Sequence, residues 1–207
     1  MKVSLHIVGR RFNRQQVFKG LNHNFESGSK TAILGGNGSG KSTLVKILSY
    51  SLSASKGELQ YFQADGTVIS PNEVPFKISL AAPYLELIEE LSAKDFLNFY
   101  QKFKPFLEGI NTDSFLEICY LESSKDKDLK NFSSGMKQRF RLGLALLSDT
   151  QLVLLDEPTS NLDQKGIAWY KGLIEKYLGN RTLVIGSNYS EDEISFCEER
   201  IVIEDFK

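Results

Sequence analysis

Cysteine is nearly absent from this chain. Cys119 and Cys197 are the only two, they lie far apart, and neither has a neighbour in a CxxC pair. That argues against a disulfide framework and against a thiolate zinc site, and it suits two reduced thiols in a cytoplasmic protein. Long apolar runs are missing as well. No stretch approaches the roughly 18–20 residues that cross a bilayer, and the opening Met1-Lys2-Val3-Ser4-Leu5-His6 lacks the apolar run of a signal peptide. Work at a membrane would therefore need another component to hold the chain there. Excess charge of one sign is also lacking: 25 Lys and Arg stand against 26 Asp and Glu, a formal net charge of −1. No global field draws such a chain to nucleic acid or to an acidic membrane surface, so no nucleic-acid partner is expected. Internal repeats and low-complexity segments are absent too.

What is present is an ordinary globular balance. The chain has 207 residues, 41% apolar and 25% charged, enough to bury a sizeable core as one domain or one domain with a lobe. Alternation over Val3 to Val8 predicts an early strand, and Val17 to Phe25 predicts two strand-like pieces broken by Gly20. The apolar run Thr31 to Leu34 stops at Gly35-Gly36, as a buried strand entering a tight loop does. Helical spacing follows from Lys41 to Tyr50. Glu58 to Phe62 and Lys77 to Ala81 predict further strands. From Pro83 to Leu129 the patterning turns helical and charged. Ser92 can cap a helix carrying Phe96, Leu97, Tyr100 and Phe103, and Asp113 to Leu121 predicts a second helix. Helices at Gly135 to Leu147 and Gln164 to Leu178 then alternate with strands at Leu152 to Leu155, Thr182 to Gly186 and Arg200 to Ile203. Such alternation implies a largely parallel sheet covered on both faces. The two histidines, His6 and His23, read as surface or structural residues.

Two segments carry chemistry. Gly35-Gly36-Asn37-Gly38-Ser39-Gly40-Lys41-Ser42 fits G-x-x-x-x-G-K-[ST] completely, with a strand before it and a helix after it. Glycines let the backbone curl so that successive N–H groups point at phosphate oxygens. Lys41 brings positive charge to the β- and γ-phosphates, Ser42 offers its hydroxyl to Mg²⁺, and the next helix turns its positive end to the same anion. The expected ATP-binding set runs from Gly35 through Gly36, Asn37, Gly38, Ser39, Gly40, Lys41 and Ser42 to Thr43. The pattern is strong for nucleotide binding and weak for the kind of NTPase. The apolar strand Leu152-Val153-Leu154-Leu155 ends in Asp156-Glu157. Asp156 can reach Mg²⁺, directly or through water, and Glu157 can polarise an attacking water as general base.

Further segments resemble one family. Pro158-Thr159-Ser160-Asn161-Leu162-Asp163 resembles the D-loop of ABC ATPases. Phe132-Ser133-Ser134-Gly135-Met136-Lys137-Gln138-Arg139 is similar to the ABC signature, usually written L-S-G-G-Q. The order of P-loop, helical stretch, signature, acidic strand and D-loop is also that of the family, and the resemblance spans about Lys2 to Ile203. It implies an α/β fold: a P-loop NTPase core with a mostly parallel sheet flanked by helices, an N-terminal antiparallel β subdomain and an inserted helical lobe. The whole of 1–207 would be a single ABC-type nucleotide-binding domain, with 1–82 and 133–207 as core and about 83–132 as lobe. It further implies that two such domains, as a homodimer or with a paralogue, pack head to tail on ATP. Ser133 and the backbone at Gly135 would then touch the γ-phosphate in trans. Phe12 stands where the family has an aromatic that stacks on adenine, although core packing explains a lone aromatic there as well. Catalytic roles would fall to Glu157, Lys41 and Asn188, and metal binding to Ser42 and Asp156.

The sequence departs from the family in three places. Ser134 and Met136 replace a glycine and the glutamine of the signature. The family's Q-loop glutamine should fall near Ala82-Pro83, yet Ser79-Leu80-Ala81-Ala82-Pro83-Tyr84 contains no glutamine. Asn188 takes the place of the switch histidine and cannot carry its positive charge. The resemblance thus implies an ATP-binding subunit, peripheral on the inner face of the cell membrane through a separate integral membrane transporter subunit, with ATP binding retained and hydrolysis slow or partner-dependent. The compact layout is similar to small importer and exporter ATPases, including the haem exporter of cytochrome c maturation. A soluble ABC-type ATPase, or an ATP sensor not coupled to transport, is the alternative.

Overall fold

The computed structural model describes all residues, Met1–Lys207. Two sheets organise it. The first is antiparallel and built from β1 (Lys2–Phe12), β2 (Gln15–Phe25) and β4 (Lys56–Phe62), in the order β2-β1-β4. The second is parallel throughout. Its strands are β3 (Lys30–Leu34), β5 (Ile78–Ala81), β6 (Leu152–Asp156), β7 (Thr182–Ser187) and β8 (Glu199–Val202), in the order β5-β6-β7-β3-β8.

The parallel strands other than β8 are mostly apolar because both of their faces are covered. Their side chains alternate between two cores, as a period of two demands. Ala32, Leu34, Val153, Leu155, Leu183 and Ile185 enter one core; Ile33, Leu152, Leu154 and Val184 enter the other. The first core holds α4 (Ser134–Leu146) and α5 (Gln164–Tyr177), together with α2 (Ala93–Tyr100) and α3 (Thr112–Ile118) from the segment between β5 and α4. The second holds α1 (Lys41–Leu48) and the inner face of the antiparallel sheet, through Val3, Leu5, Phe18, Leu21 and Phe25. Each fully buried Leu, Ile, Val or Phe contributes about 1.5–3 kcal/mol. The two cores therefore clamp the parallel sheet from both sides.

Several boundaries differ from the expectation. The first strand runs on to Phe12, and β2 is one strand rather than two pieces. The ladder survives three irregularities, of which the first two offset each other: Ile7 (φ 50°) is the extra residue on β1 between Leu5 and Val8, and Gly20 (φ 70°) lies where β2 carries an extra residue between Leu21 and Phe18, while a third shift follows between Arg10 and Arg11. A bulge absorbs one residue without ending the pairing. Helix α1 stops at Leu48 instead of Tyr50, because Tyr50 takes φ 63° and Ser51 returns its N–H and its hydroxyl to the Lys46 carbonyl. The Ser92 hydroxyl accepts from the Asp95 N–H (3.1 Å) and caps α2 as expected, but that helix ends before Phe103. Asn111 and Ser114 form a reciprocal cap that starts α3 one residue early, and the left-handed Tyr120 (φ 55°) follows its end. The final strand is shifted to Glu199–Val202.

Helix α4 meets α3 at Gly143. A Cβ placed there would lie 2.5 Å from the Cys119 Sγ and 2.7 Å from the Phe115 Cζ. Helix propensity favours alanine over glycine by about 1 kcal/mol, whereas forcing a methyl into a packed core costs about 1–3 kcal/mol. Gly143→Ala should therefore lower stability by a net of up to about 2 kcal/mol, read as a lower urea midpoint, in spite of the better helix former.

Candidate functional site

All five parallel strands end on one edge of the sheet, and the chemistry gathers there. The run Gly35 to Gly40 follows β3 directly, and α1 follows the run. Gly38 (φ 75°) and Gly40 (φ 115°) take backbone conformations that side chains resist, and a Cβ on Gly40 would lie 2.7 Å from the Val17 Cγ1. The loop leaves a cavity of about 450 Å³ lined by Phe12, Gln15, Val17, Asn37 to Thr43 and Glu157. Phe12 is half exposed at this cavity, with the Arg10 guanidinium 4.3 Å from its ring centroid, so the core-packing alternative for Phe12 falls away. Gln15 and Val17 line the cavity without having been expected there.

Lys41 is buried, and its ammonium donates to the carbonyls of Gly35 (2.8 Å) and Gly36 (3.0 Å). A buried cation needs such partners. The Gly36 N–H donates to the Glu204 carboxylate (2.7 Å), which holds that carboxyl below its usual range. Nothing in the sequence signals this contact, since Glu204 is distant along the chain. The hydroxyl of Ser39 is buried without a hydrogen-bond partner.

Asp156 ends β6, 1% exposed, and its Oδ1 has no hydrogen-bond partner. Burial raises its carboxyl above the ordinary range. The Ser42 hydroxyl opposes this, the Glu157 charge adds to it, and Lys41 and the Tyr84 hydroxyl oppose it. An orphaned buried carboxylate oxygen beside a serine hydroxyl is a donor set that suits a hard divalent cation. Tyr84 stands in the segment where the family glutamine is missing. Ala81 pairs with Leu155, so the loop after β5 runs beside the end of β6, and the Lys46 ammonium lies 3.9 Å from the Tyr84 ring centroid. Glu157 follows in a left-handed conformation (φ 47°), with its N–H on the Gly186 carbonyl (2.8 Å). A strained residue at a strand end costs of order 1–3 kcal/mol and persists only where its surroundings impose it.

The remaining expected residues lie apart from this cavity. Ser133 caps α4, accepting from the Met136 N–H (3.2 Å). With Gly135 it lines a separate cavity of about 240 Å³ shared with Met136, Arg139, Asn161 and Asp163. Ser134 is exposed, so its Cβ faces outward. Asn188 is exposed just beyond β7, on the sheet edge that carries Asp156 but not in the P-loop cavity. A larger depression of about 690 Å³ includes Met1, Asp149 and Arg181. Its guanidinium is occupied by the carbonyls of Leu146, Ser148, Tyr177 and Leu178, which leaves little for an anion. His6 is exposed, and His23 approaches Glu199 at 3.5 Å.

Because the Asp156 carboxyl is raised, its ionised form is less favourable in the folded chain than in the unfolded one. That cost appears as pH rises through the folded pKa and vanishes below the ordinary carboxylate range. Asp156→Asn keeps the shape and removes the buried charge, so it should raise the Tm of the nucleotide-free protein at pH 7 by about 2–4 °C for each kcal/mol recovered. The gain should shrink as pH falls toward the ordinary carboxylate range and be gone below about pH 4, as read by differential scanning fluorimetry.

Comparison with known proteins bears on these residues. A family model described as ABC transporter matches residues 18–160. An uncharacterized ABC transporter ATP-binding protein of Bacillus subtilis, YybJ, is 28% identical over 192 residues, which cover 91% of this chain and 86% of that protein. The ATP-binding cassette sub-family A member 17 of Mus musculus is 29% identical over 196 residues, 92% of this chain but 11% of that protein. The chain thus spans most of the first relative and about a tenth of the second. The dimeric structure of a post-hydrolysis state of the ATP-binding cassette MJ0796, bound to ADP and Pi, superposes with a TM-score of 0.83 at 22% identity, over 98% of this chain and 94% of that one.

Proposed function

The chain belongs to the ABC transporter family, and from that membership we propose that it is an ATP-binding subunit that dimerises on ATP and hydrolyses it to drive a separate integral membrane subunit. The observation that carries the reading is the division of the site. Lys41, Ser42 and Glu157 face one cavity, and Ser133 and Gly135 face another. Neither cavity holds the full set, so a complete site needs a second nucleotide-binding domain, a copy of this chain or a paralogue. No helix is long and apolar enough to cross a membrane, which agrees with a subunit held on the inner face by its membrane partner.

In this reading ATP enters the P-loop cavity with its adenine on Phe12 and its phosphates against the N–H groups from Gly38 to Thr43. The Lys41 ammonium leaves the Gly35 and Gly36 carbonyls for the β- and γ-phosphates. Ser42 and Asp156 would hold Mg²⁺, which neutralises charge on the phosphates when bound. Glu157 accepts a proton from the attacking water. Ser133 of the second domain and the N-terminal end of its α4 close on the γ-phosphate. Two departures slow this cycle: the segment around Ala82-Pro83 offers no glutamine and sets Tyr84 beside Asp156 instead, and Asn188 brings no cation to the γ-phosphate.

Four measurements test the reading. The purified chain alone should turn over ATP below about 1 s⁻¹, the lower edge of ordinary enzyme rates; brisk hydrolysis without a partner would remove the slow-cycle reading. Glu157→Gln should accumulate an ATP-bound dimer in light scattering, and a monomer at saturating ATP and Mg²⁺ would overturn the dimer. Lys41→Ala should weaken ATP binding about 10- to 100-fold, as the loss of roughly 1.5–3 kcal/mol of charge-assisted hydrogen bonding implies. Copurification from gently solubilised membranes should bring down a multi-span protein, and recovery of the free chain only would favour the uncoupled ATPase.

A further inference from the structure

Glu193 is the one buried carboxylate, besides Asp156, that the folded chain sets beside the phosphate-facing edge. It lies on the short helix α6 (Glu191–Ile194), 4% exposed, and no ion pair reaches it. Its Oε1 accepts from the Thr159 N–H (3.1 Å) and the Thr159 hydroxyl (2.8 Å), and its Oε2 accepts from the Ser187 hydroxyl. The donors come from two different segments. Thr159 stands two residues after Glu157, in the turn closed by the Ser160 N–H on the Glu157 carbonyl (3.1 Å). Ser187 ends β7 immediately before Asn188, and its hydroxyl oxygen also accepts from the Ser190 N–H (3.2 Å). The helix is itself anchored, because the Tyr170 hydroxyl donates to the Glu193 carbonyl (3.2 Å).

An acidic side chain buried without a cation is a poor choice for packing alone, since an apolar residue of similar size carries no desolvation cost. Here every hydrogen bond on the carboxylate comes from a segment that presents a proposed reacting residue. We propose that Glu193 is a positioning residue for the ATPase reaction, a strut that holds the Glu157 turn and the Asn188 turn at one fixed separation. It touches no substrate. Its loss loosens both turns together and leaves the P-loop, which it does not contact, in place. The inference rests on the ATPase reading above, and it predicts an effect on the chemical step rather than on nucleotide binding.

The test compares Glu193→Ala with Glu193→Gln in the full chain. Glutamine keeps a carbonyl acceptor for Thr159 and places an NH₂ donor at the Ser187 oxygen, so it should restore most of what alanine loses. Hydrogen-exchange mass spectrometry should show Glu193→Ala about tenfold faster in residues 157–162 and in 187–190, with 35–43 unchanged. Binding of a fluorescent ATP analogue should stay within about twofold, while single-turnover hydrolysis falls about tenfold or more. Faster exchange confined to 191–194, a parallel loss of binding and hydrolysis, or a glutamine variant as impaired as alanine would overturn the proposal. If the alanine variant does not fold, Thr159→Val decides: the strut requires faster exchange across the carboxylate at 187–190, and no change there refutes it. Absence of ATP binding and hydrolysis in the parent chain would defeat the ATPase reading instead, a result visible apart from the exchange data.

Discussion

Everything at the site depends on the parallel pairing of β6 with β5 and β7. Leu155 pairs with Ala81 and with Ile185, and Asp156 pairs with Gly186. Parallel pairing brings all strand ends to one edge. The loop after β5, the acidic pair after β6 and the segment after β7 must therefore emerge side by side. The P-loop joins them because β3 pairs with the far side of β7. The clearance is small: a Cβ on Gly186 would lie 2.5 Å from the Asp156 Oδ1 and 3.4 Å from the Val45 Cγ2. That closeness between β7, β6 and α1 places Ser42 within reach of Asp156.

The apolar cores serve this edge by clamping the sheet, and the polar groups at the edge carry the cost. Asp156 keeps an unpartnered oxygen in a buried position, and Glu157 holds a left-handed backbone. Such features are tolerated where the surrounding packing imposes them, and they collect at sites that bind or react. Lys41 is satisfied by loop carbonyls and Gly36 by the Glu204 carboxylate, so the loop holds its shape through partners already in place. Phosphate would replace hydrogen bonds already in place rather than create order from nothing, which keeps the entropy cost of binding low.

Local pattern carried much of this into view. A motif such as Gly35 to Ser42 needs its glycines and its lysine at adjacent positions because the loop is built from adjacent backbone, so the cradle was legible from the residues alone. The same holds for β6, whose apolar run had to be buried on both faces, and for Ser92, whose capping bond spans three residues. The family model then matches residues 18–160, the span that holds the cradle and β6. Less local features stayed hidden. The continuity of β1 and β2 depends on bulges in facing strands, and the ends of α1 and α3 depend on Tyr50 and Tyr120 entering left-handed conformations that their side chains do not advertise.

The sequence by itself therefore determined the layers, the alternation of strand and helix, the phosphate loop and the acidic strand end, because each arises from contacts a few residues apart. Only the tertiary structure decided that Phe12 and Glu157 share the P-loop cavity while Ser133 and Gly135 face another. It alone placed Tyr84 beside Asp156, Glu204 on Gly36 and Glu193 between Thr159 and Ser187. Apart from the short span from Ser187 to Glu193, these contacts join residues far apart in the chain. They follow from strand order and register, which no local spacing encodes.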